Sequence, residues 1–344
     1  MNPYEMLKQV LIESPRTWLV TGVAGFIGSN LLLELLRCGQ RVVGVDNLST
    51  GFRRNLDEVR AEVGSARWAN FTWLEADITD RETCRKACTG VDIVLHQAAL
   101  GSVPRSIAHP EVTHHHNVTG FVTMLLEAKD ARVKRFVYAS SSAVYGDHPA
   151  LPKVEDQVGE CLSPYAVSKK ANELYAAVFS QCYGIECIGL RYFNVFGPRQ
   201  DPRGPYAAVI PKWIDAMLRG EPVVIHGDGE TSRDFCYVEN VVQANLRAAT
   251  VRDPQALNTV YNIAAGGRTT LNELYRMLSR RLLNERPELV DMAPVYDDFR
   301  PGDIRHSNAD IGKARCLLGY EPTHQIAAGL ATGLGWYLAN PVAG

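Results

Sequence analysis

The chain has no Cys-x-x-Cys pair, no basic run and no uninterrupted apolar stretch of membrane-spanning length, and each absence removes a class of function. Its eight cysteines (Cys38, Cys84, Cys88, Cys161, Cys182, Cys187, Cys236, Cys316) are scattered without regular spacing and read as reduced, mostly buried thiols of a cytoplasmic protein. With 36 basic against 38 acidic residues, no nucleic-acid partner is expected, and the partner is a small molecule. The missing apolar span argues against a membrane protein. Residues 1–16 also lack the apolar core and small-residue cleavage site of a signal peptide. Leu7, Val10 and Leu11 have helical spacing, which fits either a short amphipathic helix packed on the body or a second subunit, or a frayed tail.

What is present is alternation. Short β-rich runs at 17–21, 41–46, 71–78, 91–99 and 135–141 are interleaved with segments of helical periodicity such as 26–37, and 344 residues are enough for two lobes or one large domain. The pattern predicts an α/β fold: a doubly wound, parallel Rossmann-like sheet with a smaller mixed α/β substrate domain. Residues 1–16 form an extension and 17–197 the dinucleotide-binding domain. Residues 235–265 are expected to return to it, and 198–344, where prolines and glycines thicken, to form mainly the second lobe. Helices are expected there at 209–219, 270–283 and 325–338, with short strands near 223–226 and 295.

Thr21-Gly22-Val23-Ala24-Gly25-Phe26-Ile27-Gly28 follows a strand and opens a helix, where free backbone N–H groups and the helix dipole attract a pyrophosphate. Gly22 and Gly25 allow the turn and close backbone approach, and Gly28 allows helix-to-strand packing. Asp46 ends the next strand, where a carboxylate holds ribose hydroxyls and repels a 2′-phosphate, so NAD is favoured over NADP. Arg53 and Arg54 are expected to face solvent. Asp77 and Ile78 suit the adenine edge, although an aspartate at a strand end is often only a helix cap. Downstream, Tyr165 and Lys169 are four residues apart after Ser163-Pro164. One helical face then brings the ammonium beside the phenol and favours its ionised form, with help from a nicotinamide cation.

Taken with His96-Gln97-Ala98-Ala99, Asn117, 140–146, 191–197 and Arg300-Pro301-Gly302-Asp303, these motifs resemble the extended short-chain dehydrogenase/reductase superfamily from about Thr17 onward, most closely the UDP-N-acetylhexosamine 4-epimerases. The resemblance implies that Tyr165 takes the proton of a sugar 4-hydroxyl, directly or through Ser141, while hydride passes from the same carbon to NAD. It implies further cofactor contacts at Asn47, Ser49, Thr50, Gly51, Gln97, Ala98 and Ala99, and an architectural role for Asn117. Substrate contacts are implied at Gly101, Ser102, Ser142, Asn194, Ala208, Val209, Arg233 and Arg300, the two arginines meeting a nucleotide diphosphate. Related dehydratases carry Asp-Glu where this chain has Ser142-Ala143, so the chemistry should stop at hydride removal and return. Ser307 stands where related UDP-galactose epimerases have a bulky aromatic, leaving room for an N-acetyl group; Arg105 is placed to meet a carboxylate in the uronic acid forms. A homodimer through 112–129 and 162–181 is also implied.

Two rivals remain open: a UDP-glucose or UDP-glucuronate 4-epimerase, and a non-catalytic NAD-sensing regulatory protein. The triplet His114-His115-His116 suggests a metal, but consecutive helical residues point about 100° apart, so it reads as a surface patch and no metal is expected. His96 is read as part of the loop beside the cofactor.

Overall fold

The computed structural model describes residues 3–202, 207–289, 292–299 and 304–340. The chain opens with Pro3–Glu13 (α1), Thr17–Thr21 (β1), Phe26–Arg37 (α2), Arg41–Asp46 (β2), Arg53–Trp68 (α3) and Phe71–Glu75 (β3). Arg81–Cys88 (α4), Ile93–His96 (β4), Val103–Ala108 (α5) and Pro110–His114 (α6) follow, then a π-turn at His115–Thr119 and Gly120–Asp130 (α7). Next come Arg135–Ser141 (β5), Pro164–Tyr183 (α8), Glu186–Tyr192 (β6), Val195–Phe196 (β7), Val209–Leu218 (α9), Val224–His226 (β8) and Ser232–Arg233 (β9). The last group is Cys236–Tyr237 (β10), Val238–Thr250 (α10), Thr259–Ile263 (β11), Thr269–Thr270 (β12), Leu271–Glu285 (α11), Val295–Asp297 (β13), His306–Ser307 (β14), Gly312–Leu318 (α12) and Ile326–Ala339 (α13).

Seven parallel strands form the main sheet in the order β11-β6-β5-β4-β1-β2-β3. The order reverses direction at β1, which places a crevice at the carboxyl ends of β1 and β4. Both faces are covered, so the central strands read as near-continuous apolar runs, and all four residues of β4 are buried. One face packs Val20, Leu31, Leu35, Val137 and Leu190, the other Leu19, Val94, Phe121, Phe136 and Met124. A third core, with Ile210, Trp213, Phe235, Leu274, Leu278 and Leu330, sits among α9, α11 and α13.

Two strands are shorter than their apolar runs suggest. β3 stops at Glu75 because Asp77 Oδ1 accepts from both Thr79 N and Thr79 Oγ1, at 2.8 Å each, and turns the chain toward α4. β4 stops at His96 because the next two amides, Gln97 N and Ala98 N, donate to Thr21 Oγ1 at 3.2 and 3.1 Å. His96 is therefore a buried strand residue and not a loop residue.

α1 packs on the body through Tyr4, Leu7 and Leu11. Beneath it the Gln40 side chain is saturated: Oε1 accepts from Arg16 N and Trp18 Nε1 at 3.0 Å each, and Nε2 donates to Leu11 O at 2.7 Å and Cys38 O at 3.0 Å. All eight cysteines are unpaired, with Cys182 and Cys316 exposed. Among the described residues no helix is long and apolar enough to cross a membrane, and no group of His, Cys, Asp or Glu is placed to hold a metal ion.

Candidate active site

A cleft of about 570 Å³ lies along the carboxyl ends of the central strands, within the range of small-molecule sites. Its first wall is the glycine turn. Gly22 has φ +67°, and a Cβ there would approach Ala98 N to 2.9 Å; at Gly28 a Cβ would fall 2.0 Å from Gly22 O. Only glycine lets the turn lie this close to both β4 and its own helix. α2 then begins with Gly25 as N-cap and no side-chain cap, leaving its first amides available to an anion. Gly22, Gly25, Phe26, Ile27 and Gly28 all line the cleft.

At the adenosine end, Asp46 is 7 % exposed and holds its two oxygens on Ala24 N (2.9 Å) and Leu48 N (2.8 Å). Burial pushes this carboxyl up, against those backbone hydrogen bonds. Asn47, Ser49, Thr50 and Ile78 line the same end. Gly51 lies behind Asp46, where a Cβ would touch both carboxylate oxygens at 2.9 Å. Asp77 also stands back from the lining and accepts from Asn47 Nδ2 at 2.7 Å. Arg53 pairs with Glu75 at 2.6 Å over the Trp73 ring, and Arg54 faces Asp201 at 3.6 Å over Phe52, so both guanidiniums are already engaged. An uncapped helix start, a glycine turn that admits no Cβ and a carboxylate at the ribose position fit NAD.

The floor is built by β4, β5 and α8. The Thr21 hydroxyl, having accepted two amides, gives its proton to His96 Nδ1 at 3.1 Å, and burial drags the imidazole down to about 3, keeping it neutral. Gln97, Ala98, Ala99 and Gly101 line the cleft, with the Gln97 amide tied to Asn245 and Tyr192 at 3.0 Å each. Asn117 is buried behind them: Oδ1 accepts from Leu100 N at 2.7 Å, and Nδ2 donates to Leu100 O and Ser168 Oγ at 3.1 Å each. It thus clamps the loop after β4 to α8. Ser163 caps α8 through Ala166 N, Pro164 occupies its first turn and Gly184 closes it in the left-handed region.

On this helix Tyr165 and Lys169 face the cleft together with Ser141 and Ser142. The Lys169 Nζ lies 6.0 Å from the Tyr165 ring centre and donates to Ala139 O at 2.8 Å. Burial pushes the Tyr165 phenol up, opposed by its hydrogen bond with Ser141. In the protein alone the cost of burying the anion exceeds what Ser141 returns; the ionised phenol expected from the spacing draws on the nicotinamide cation as well. Burial likewise lowers Lys169 to about 8.

The substrate end is looser. Asn194, at φ +28°, and Ala208 line the cleft. Val209 opens α9 and packs toward the third core, and the Ser102 oxygen caps α5 by accepting from Arg105 N at 3.1 Å. Arg233 and Ser307 are register partners on β9 and β14, away from the lining; Arg233 Nη1 donates to Ser232 O at 2.9 Å. Beside them Asp234 is buried, accepting from Ala265 N (3.0 Å) and Gly266 N (3.2 Å), and burial raises its carboxyl to about 6. Arg300 lies outside the described residues.

Arg199 and His116 also line the cleft, and the sequence motifs gave neither a place there. Arg199, in the left-handed region at φ +67°, donates to Ser29 Oγ and Asn30 Oδ1 at 3.2 and 2.7 Å and holds the loop after β7 to α2. His116 departs from the surface patch read for the triplet: the π-turn directs it to the cleft, with Nδ1 3.7 Å from Asp77 Oδ2, while His114 and His115 are exposed.

Comparison with known proteins places this arrangement. Residues 18–264 match the model of the NAD dependent epimerase/dehydratase family. The chain is 36 % identical over 318 residues to a UDP-glucose 4-epimerase of Mycolicibacterium smegmatis, covering 91 % of this chain and 96 % of that protein. It is 33 % identical over 329 residues to a UDP-glucuronate 4-epimerase of Thermodesulfobacterium geofontis, covering 94 % and 96 %. Among solved structures, a UDP-N-acetylglucosamine 4-epimerase from Methanobrevibacter ruminantium in complex with UDP-N-acetylmuramic acid superposes with a TM-score of 0.86 at 38 % identity, covering 95 % of this chain and 99 % of that one.

Proposed function

Because the chain belongs to the NAD dependent epimerase/dehydratase family, we propose that it interconverts UDP-N-acetylglucosamine and UDP-N-acetylgalactosamine, with their uronic acid forms as further substrates. At the coarser level it is an NAD-dependent UDP-sugar 4-epimerase. NAD, held by the glycine turn, the α2 N-terminus and Asp46, supplies when bound a hydride acceptor that returns the hydride to the sugar. The chain's own side chains handle the proton. Tyr165 takes it from the 4-hydroxyl, directly or through Ser141, and returns it once the ring has turned; the Lys169 charge favours the phenolate. Ala143 follows Ser142 in the turn after β5, where Ala143 N donates to Ser141 Oγ at 3.1 Å. No carboxylate stands there to expel water, so the sugar keeps its C-6 substituent.

The observation that carries the N-acetyl reading is Ser307, a small side chain in register with Arg233. On this reading adjacent strands carry an arginine for the diphosphate and a side chain too small to crowd a 2-substituent. The cofactor half comprises 17–197 with the return at 235–265, and the nucleotide-sugar half mainly 198–344. Two copies pair through α6–α7 and α8, where Val167, Leu174 and Val178 expose one apolar stripe beside Ile107 and Val112. The deciding experiment incubates the purified protein, without added cofactor, with UDP-N-acetylglucosamine, UDP-N-acetylgalactosamine, UDP-glucose and UDP-glucuronate and reads the products by proton NMR. Equal or greater efficiency on UDP-glucose defeats the substrate assignment.

A further inference from the structure

Three side chains one turn apart on α8 grip three consecutive residues at the end of β5. Lys169 Nζ donates to Ala139 O at 2.8 Å, Glu173 Oε1 accepts from Ser140 Oγ at 2.7 Å, and Tyr165 faces the cleft with Ser141, whose hydroxyl draws the phenol down against burial. The outer two contacts belong to the reaction already described, whereas Ser140 and Glu173 have no part in it. Glu173 is held far more firmly than a helix carboxylate usually is. Arg191 Nε and Nη2 bind its two oxygens at 2.8 and 2.9 Å. Arg191 is itself 2 % exposed, donates from Nη1 to Glu155 O at 2.8 Å and lies 4.9 Å from the Tyr145 ring centre. A bidentate, buried guanidinium leaves the carboxylate one fixed orientation, and the oxygen it shares with Ser140 fixes that hydroxyl in turn.

We propose that Glu173, locked by Arg191, is a positioning residue for the epimerisation: through the Ser140 hydroxyl it sets the register of the β5 end against α8, and with it the Ser141–Tyr165 alignment. This rests on the proton-transfer role given to Tyr165 above. A serine that only stabilised the fold would, when removed, lower the melting temperature without changing the titration of Tyr165. A serine that positions its neighbour changes kcat and that titration instead.

Ser140→Ala removes the link without leaving a charge unpaired. The expected result is a fall in kcat of about tenfold, with the sugar KM, the bound NAD and the melting temperature near those of the parent, and recovery to within about twofold of the parent in Ser140→Thr. Unchanged kcat in Ser140→Ala overturns the proposal. So does a fall that accompanies a lost melting transition and is not recovered by threonine. A second readout is independent of turnover: 3-fluorotyrosine placed at position 165 and followed by fluorine NMR against pH. A displaced midpoint in Ser140→Ala supports the alignment role, and coincident curves overturn it. If the parent turns over no UDP-sugar, the proposed function fails, while the fluorine titration still decides whether Ser140 controls the phenol.

Discussion

At one end of the cleft β1 runs in parallel register with β2 from Thr17–Arg41 to Thr21–Val45 and with β4 from Trp18–Ile93 to Thr21–His96. Beyond the other end, back from the lining, Arg233 and Ser307 meet on strands of two residues each. The first end presents mainly backbone: a turn into which no Cβ fits and an uncapped helix start. The second presents side chains on short strands joined by loops. An adenine dinucleotide is one fixed ligand, for which backbone geometry suffices, whereas discrimination between sugars needs side chains that can change without disturbing the sheet. The groups proposed to handle the proton lie between them on α8, which is anchored to the sheet, so they share the firmness of the cofactor end.

Mutations can break this contrast. Tyr165→Phe should have the largest effect, lowering turnover by about 10²–10⁴-fold while NAD remains bound, since the phenol contributes no part of the glycine turn. Turnover by stopped assay and NAD content by absorbance after denaturation check it, and normal turnover rejects the tyrosine-base role. Ser307→Tyr should act only at the loose end. Efficiency on N-acetylated sugars should fall by about tenfold or more with plain hexoses far less affected, and equal losses on both would show that the strand pair does not gate size.

The smallest effect sharpens the comparison through acid. His96, in the sheet, is held neutral with a pKa of about 3 against an ordinary 6.5. The unfolded chain therefore binds the extra proton between those values, and stability is lost as pH falls from 6.5 toward 3. Asp234, beside β9, is raised to about 6 from 3.8. There the native state binds the extra proton, and stability is gained as pH falls from 6 to 3.8. Melting temperatures at pH 7 and pH 5 should then drop less in His96→Asn than in the parent and more in Asp234→Asn, by roughly a few degrees each way. If both variants track the parent, neither group controls the acid response.

The sequence was most informative where structure is periodic. Alternating β and helical runs were enough to read the parallel sheet, and the glycine spacing and the Tyr165–Lys169 interval identified residues that do share one cleft. Legibility failed where a local departure overrides the period. A two-residue strand such as β9 or β14 cannot display alternation. The triplet at 114–116 does not mark which of its histidines turns inward, and it is His116, within the π-turn at 115–119, that lines the cleft. Asp77 and Ser102 spend their oxygens on local amides, as short polar side chains at turns and caps commonly do, and motif position alone does not separate that use from ligand contact. Arg199 follows Gly197-Pro198 with nothing around it in sequence to mark it; its partners Ser29 and Asn30 lie about 170 residues earlier.

The saturated amide of Gln40 makes the leading helix part of the fold's accounting of polar groups. A shortened protein starting at Thr17 would leave Nε2 without its shortest acceptor, Leu11 O, and Oε1 without the Arg16 amide, at a residue that is otherwise fully enclosed. A fusion partner joined ahead of Pro3 disturbs neither bond. Anyone shortening this enzyme to begin at β1 should therefore expect weakened amino-terminal ends of β1 and β2, even though every residue of the cleft would still be present.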